Sequence, residues 1–181
     1  MHRRNLLSAI DDYALRYPEE IGVVQRFRVL LENHSDCFER DCWSGHITGS
    51  AWLVSPDQQH VLLTHHRKLN MWLQLGGHSD GDSKTDAVAV REATEESGLS
   101  VQLLQKNIFD LDVHEIPARK NDPAHYHFDV RYQIKATDEK FRISEESLDL
   151  AWVKIDELER YTEEESILRM RRKWYESNNR D

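Results

Sequence analysis

At 181 residues, with a formal charge of −9 and a mean hydropathy of −0.74, the chain can bury one core beneath a strongly polar surface. That acidity argues against nucleic-acid binding through a broad basic face, and no apolar run is long enough to span a membrane. The opening stretch MHRRNLLSAIDDYALRYPEE begins basic but is interrupted by acids and Pro18, so it does not read as a secretory signal, and a cytoplasmic location is expected.

Residues 3–17 are predicted helical, with Leu6, Ile10, Tyr13 and Tyr17 on one face. Pro18-Glu19-Glu20 suits a first helical turn, and a second helix is expected to run to Leu31. Residues 1–33 are therefore expected to form an N-terminal helical addition to a main unit at 34–181, the whole being one compact body. A polar loop, His34 to Ser44, holds both cysteines, Cys37 and Cys42. Two cysteines make no disulfide scaffold, and their spacing with His34 and His46 fits no standard zinc pattern, so reduced thiols are expected. Strands are predicted at 46–55 and 60–66 around the turn Ser55-Pro56-Asp57. His65-His66-Arg67-Lys68 reads as a solvated basic turn.

The apolar stretch Met71 to Leu75 runs into Gly76-Gly77. A polar loop follows, then a helix start at Ser83-Lys84-Thr85-Asp86 that is close to a capping box. Gly98 stands where a helix needs a left-handed C-terminal residue, and Leu99 restarts an apolar strand. Further strands are predicted near 101–116, 126–135 and 149–153, with a helix start at Asp156-Glu157-Leu158. The last helix, 163–176, has Ile167, Met170 and Trp174 at helical spacing. Its Arg169, Arg171, Arg172 and Lys173 are read as a wet face paired with acids, Glu165 to Arg169, rather than as a phosphate-binding patch.

The segment between the glycines carries the chemistry. In Arg91-Glu92-Ala93-Thr94-Glu95-Glu96-Ser97-Gly98-Leu99, Glu92 lies one helical turn from Glu95 and Glu96, so the three carboxylates can converge. Crowded carboxylates repel unless a cation sits among them, and hard divalent ions choose such oxygen ligands while keeping places for water and phosphate. On charge alone a solvated Glu-rich face would be the commoner reading. The order strand, glycine loop, helix, glycine stop, strand shifts the balance toward a built site.

Residues 77–99 resemble the Nudix box of the Nudix hydrolases. Gly77, Arg91, Glu92, Glu95, Glu96, Gly98 and Leu99 take that pattern's fixed positions, and Trp72 with Gly76-Gly77 resembles its lead-in. Two positions depart: Ala93 is smaller than the usual bulky apolar residue, and Ser83 stands in the slot of the first Glu. Asp80 and Asp82 are the nearby acids that could replace that Glu. The resemblance implies an α/β fold, a Nudix-like α/β/α sandwich with a mixed sheet, and metal-dependent hydrolysis of the pyrophosphate of a nucleoside diphosphate linked to another moiety. It implies Mg²⁺ or Mn²⁺ held by Glu92, Glu95 and Glu96 with Gly77 and His78, and Arg91 orienting the carboxylates. The base would be a box Glu or a loop Glu, for which Glu145 and Glu146 are candidates, with Glu146 the choice. The partner is a small phosphorylated substrate, with no nucleic acid and no membrane, and a homodimer is compatible with the chain.

A different class stays open, a non-catalytic Nudix-like ligand-binding module or regulator, favoured by Ser83 and opposed by the intact Glu95-Glu96 pair. A lesser alternative is an enzyme similar to isopentenyl diphosphate isomerases, which share the fold and carry a metal-binding His in a similar Gly-His, here His78. Those enzymes lack the intact Arg-Glu run that this chain has, and no cysteine stands near the box here.

Eight of the ten histidines lie between His46 and His127. On a strand, His125, His127 and Asp129 share one face, with Tyr126, Phe128 and Val130 turned the other way into a core. His125 and His127, with Arg119 and Lys120 in the basic loop before them, are candidate substrate-phosphate ligands. The plainer reading is a polar face of an edge strand. The site reading places His78, His125 and His127 in one cleft with the box glutamates.

Overall fold

The computed structural model describes residues 2–67, 69–119, 122–143 and 147–178. Helix α1, His2–Arg16, buries Leu6, Ile10 and Tyr13, the face that the periodicity predicts. A 3₁₀ turn at Pro18–Glu20 carries its proline at the start and leads into α2, Ile21–Asn33. The Arg3 guanidinium donates to the Leu31 and Glu32 carbonyls at the end of α2, satisfying acceptors that the helix itself leaves open.

The sheet is mixed and has eight strands. They are β1 His46–Val54, β2 His60–His66, β3 Met71–Leu73, β4 Leu75–His78, β5 Val101–Leu103, β6 Asp110–Ile116, β7 His125–Ala136 and β8 Ser147–Lys154. β1 is the centre. It runs parallel to β7 from His46↔His127 to Val54↔Lys135, antiparallel to β4 at its start and antiparallel to β2 at its end. Every residue of β1 is buried, because both of its faces are covered. The predicted stretch 101–116 is two strands, β5 and β6, which both pair antiparallel with β7.

Alternation divides β1 into two chemistries. Ile47, Gly49, Ala51 and Leu53 face one way, and His46, Thr48, Ser50 and Trp52 the other. The first face receives helix α3, Thr85–Ser97, which lies so close that a Cβ on Gly49 would come within 2.8 Å of the Thr85 carbonyl and 2.9 Å of Val88. Ala89 and Ala93 of α3, Phe128, Val130 and Tyr132 of β7, and Ile10, Phe27 and Leu30 of the first two helices join that core. The small Ala93 is what this close packing accommodates. The N-terminal hairpin thus shares its core with the sheet. Tyr126 departs from the expectation of burial: it is half exposed, with Arg26 over its ring at 5.0 Å.

The start of α3 is not a capping box. The N-cap is Lys84 and no side chain caps it. Instead Asp82 accepts the Lys84 backbone N–H at 2.9 Å, and the Thr85 hydroxyl is turned inward to Tyr132 at 2.7 Å. The other end follows the prediction: Gly98 has φ 69 and closes the helix by donating to Thr94.

Helix α4, Glu165–Asn178, covers the second face of the sheet through Ile167, Met170 and Trp174, the last with its ring 6.5 Å from that of Trp52. Its expected surface pair is corrected. Arg169 does not meet Glu165, which pairs with Arg172; Arg169 turns inward onto Asp110 and Asp112. Asp110 and Asp112 alternate outward along β6 onto the face that α4 covers, so the cation is drawn in to meet them. Lys173 joins at 2.6 Å from Asp110 and 2.6 Å from Glu20. Arg131 of β7, fully buried, reaches Asp129 at 2.7 Å and Asp110 at 3.1 Å. Asp110 and Asp112 are held below the usual carboxylate range because these cations and hydrogen bonds outweigh the opposing effect of burial.

Candidate metal and phosphate site

Two adjacent residues of β4 open onto opposite faces of the sheet. Gly77 pairs with Gly49 and faces α3; a Cβ there would lie 2.3 Å from the Glu92 carboxylate. The absent side chain is therefore what lets Glu92 approach the strand. Arg91 secures the approach. Its guanidinium donates to the Glu92 carboxylate at 2.8 Å and to the His78 backbone carbonyl at 2.7 Å, so one side chain ties the helix to the loop. The Glu92 carboxylate is the main cause of the raised Arg91 pKa, with Glu95 and Asp80 adding to it. Glu96 is fixed from the other side, accepting the Gly76 backbone N–H at 2.7 Å. Glu95 is exposed. Gly77, Arg91, Glu92, Glu95 and Glu96 thus gather where α3 meets β4.

The Ser83 slot holds no carboxylate, and the two nearby acids have separate employment. Asp82 is the backbone acceptor at the start of α3. Asp80 is gripped by Arg40 through two contacts of 2.7 and 2.6 Å, which lowers its pKa, with smaller contributions from His78 and Arg91. Of the two, Asp80 is the one that the box arginine feels.

His78, the next residue, faces away from α3 and joins a group of imidazoles. Register explains it: His114, His127 and His46 stand side by side on β6, β7 and β1, while His78 is next to Thr48 one row along. The His46 ring centroid lies 5.1 Å from that of His78, 4.8 Å from that of His125 and 4.8 Å from that of His127. The structure therefore brings His78, His125 and His127 together as expected, but on the face of β4 opposite the one against which Glu92 lies. From sequence spacing His46 groups only with His34 and the cysteines; its alternation with Thr48 and Ser50 was the signal that could have placed it with the other histidines. Burial drives the pKa of His46 down to about 4, with His78 and His125 adding to the effect. His127 is pushed down to about 2, by burial first and then by the surrounding imidazoles. Both are neutral at pH 7 and keep a lone pair.

Asp129 shares this face but leaves the histidines. It accepts Thr48 at 2.9 Å, Ser50 at 2.7 Å, Gln74 at 3.1 Å and Arg131 at 2.7 Å, so its oxygens are committed. Arg119 is exposed in the turn between β6 and β7, where its backbone pairs with Asp122. Lys68, Lys120, Glu145 and Glu146 lie outside the described residues. Cys37 and Cys42 are free thiols, both buried.

A family model described as NUDIX domain matches residues 45–174. The chain belongs to the NUDIX family. Among solved structures, a NUDIX-family hydrolase from Clostridium perfringens is 25% identical, with 71% of this chain and 95% of that chain covered and a TM-score of 0.58. The MutT protein from Methanosarcina mazei Go1 is 16% identical, over 76% of this chain and 96% of its own, with a TM-score of 0.59. The NUDIX domain of Shewanella oneidensis NrtR, solved with ADP ribose, is 17% identical over 83% of this chain and 97% of its own, with a TM-score of 0.54. The last two likenesses show the fold. Comparison with curated proteins returned no match. Among the described residues no helix is long and apolar enough to cross a membrane.

Proposed function

We propose that this Nudix protein is a hydrolase that cleaves the pyrophosphate of a nucleoside diphosphate linked to another moiety, in the cytoplasm, with Mg²⁺ or Mn²⁺. The observation that carries the reading is the Arg91 clamp: one guanidinium joins Glu92 to the His78 carbonyl, while Glu96 is held by the Gly76 N–H. A solvated Glu-rich face has no need of such anchoring. The donors are all oxygens, which is the set that hard divalent ions take. Glu92, Glu95 and Glu96, with Gly77 beside them, would hold the ion. When bound, it supplies charge neutralisation at the phosphates and a lowered pKa for the attacking water.

The protein's own contribution is positioning. Arg91 keeps Glu92 aimed at the loop. Gly77 leaves room for its carboxylate, and the Gly76 N–H sets the direction of Glu96. The general base is proposed to be a box Glu or the loop residue Glu146. Arg119 and Lys120, which precede β7 in the sequence, are proposed to attract the substrate's phosphates.

Replacing Glu95 or Glu96 by Gln keeps the shape and removes a charge. Each variant should lose on the order of 100-fold in rate, since a metal ligand supports several kcal/mol of transition-state stabilisation. Wild-type rates in both variants would place the chemistry elsewhere. The binding-module reading is favoured by one observation, the commitment of Asp80 to Arg40 and of Asp82 to Lys84 beside the empty Glu slot at Ser83. Metal-dependent ligand affinity without turnover of any phosphoanhydride would select it.

A further inference from the structure

The imidazoles behind the box have a geometry of their own. One nitrogen from each of His46, His125 and His127 lies within 4.8 Å of the others. Nitrogens around a shared tetrahedral ion stand about 3.3 Å apart, from a metal–nitrogen distance of about 2.0 Å, so small ring rotations close the set. His46 is 1% exposed, and neither of its ring nitrogens makes a hydrogen bond among the described residues, although the Cys42 backbone lies beside it. The Nε2 of His127 is also buried without a partner. A buried nitrogen left without a partner is costly, so an ordinary core would have paired these. His125 adds a feature expected of a ligand. Its Nδ1 donates to the Pro123 carbonyl at 2.8 Å, which fixes the tautomer and leaves Nε2 with its lone pair.

We propose that His46, His125 and His127 form a binding site for a borderline divalent transition-metal ion, of the class of Zn²⁺, Co²⁺ or Ni²⁺. An all-imidazole set prefers these ions to Mg²⁺, whereas the box carboxylates prefer the hard ions. His78, whose ring is 5.1 Å from those of both His46 and His127, is placed to complete the shell. The site is separate from the carboxylate site by chemistry and by face, yet its fourth residue adjoins Gly77. A cation there would present fixed positive charge next to the box loop. Imidazole coordination at this place does not depend on the protein being a hydrolase.

Co²⁺ titration of the metal-stripped full chain is the test, read by visible absorption. The expected result is one equivalent of Co²⁺ giving the intense ligand-field bands of a low-coordinate nitrogen site, kept in Glu95→Gln and Glu96→Gln. His46→Gln and His125→Gln should weaken that binding on the order of 100-fold or more. Their thermal midpoints in chelator should match the wild type in chelator, and only the wild type should be raised by Co²⁺. In case a variant fails to fold, pulsed EPR of Cu²⁺ on the wild-type chain must show at least two coordinated imidazoles. Three results overturn the proposal: only weak octahedral bands that vanish with the box glutamates, no imidazole coupling, or a thiolate charge-transfer band. The last would assign the ion to the other candidate group, His34, Asp36 and Cys42.

Discussion

At the scale of single residues, the site depends on what is missing from Gly77. A methyl group there would meet only the far end of the Glu92 side chain, at 2.3 Å from Oε2 and 2.6 Å from Cδ. Glu92 can swing aside, so Gly77→Ala should change stability by less than about 1 kcal/mol. The displaced carboxylate loses its place against Arg91, and activity should fall by on the order of 10-fold or more. Denaturant melts alongside rates separate the two effects, and a fully active Gly77→Ala protein would contradict the placement. Asp80 gives a second residue-level expectation. It lies in the electrostatic reach of Arg91 while Asp82 serves the helix start, so Asp80→Asn should raise the Mg²⁺ concentration needed for half-maximal activity, and Ser83→Glu should lower it or leave it unchanged. Identical Mg²⁺ midpoints in all three proteins would show that nothing has taken over the missing Glu.

At the scale of elements, sequence periodicity located α1 and α4, whose buried faces show in residue spacing, while turn and glycine signals bounded β1, β2 and α3. It went astray where polar groups pair across long distances. Ser83 to Asp86 has the composition of a capping box, but Thr85 is recruited by Tyr132, which lies far along the chain. Arg169 has Glu165 one turn away yet chooses Asp110, which it reaches through bonds of 2.9 and 2.7 Å. No local rule reveals that partner. The cluster joining β6, β7 and α4 makes a strong stability prediction. Asp110 is fully buried among Arg131, Arg169 and Lys173, so Asp110→Asn leaves cations without their shared anion. The loss should be about 3–5 kcal/mol, measured by urea unfolding. The pH dependence has a definite sign. Asp110 and Asp112 have folded pKa values below their unfolded values, so their stabilisation is fully present above about pH 4 and is lost as pH falls through the folded values. Unfolding free energy should carry no titration from this cluster between about pH 5 and 7, and Asp110→Asn should flatten the acid limb; a variant with an unchanged acid limb would assign that limb to other carboxylates.

At the scale of the whole molecule, the family and the carboxylate cluster were legible because the box is local: its residues lie on one helix and the strand before it. The histidine cluster was half legible. Alternation placed His125 and His127 on one face, but it does not say which strand runs beside them, and the parallel β1–β7 register is what delivers His46. The expectation that these imidazoles share a cleft with the glutamates missed for a related reason, since Gly77 and His78 are neighbours in sequence and so open to opposite faces of β4. The box, anchored by Arg91, is proposed to hydrolyse a phosphoanhydride with a divalent ion. The most direct measurement is product mass in ¹⁸O-labelled water, taken across nucleotide-sugars, dinucleoside polyphosphates and nucleoside triphosphates with Mg²⁺ or Mn²⁺. At least one substrate should be cleaved at its pyrophosphate with one ¹⁸O entering a phosphate product, and the reaction should stop in chelator and fall on the order of 100-fold in Glu96→Gln. Label appearing only on carbon, or cleavage that persists unchanged in chelator, would contradict it.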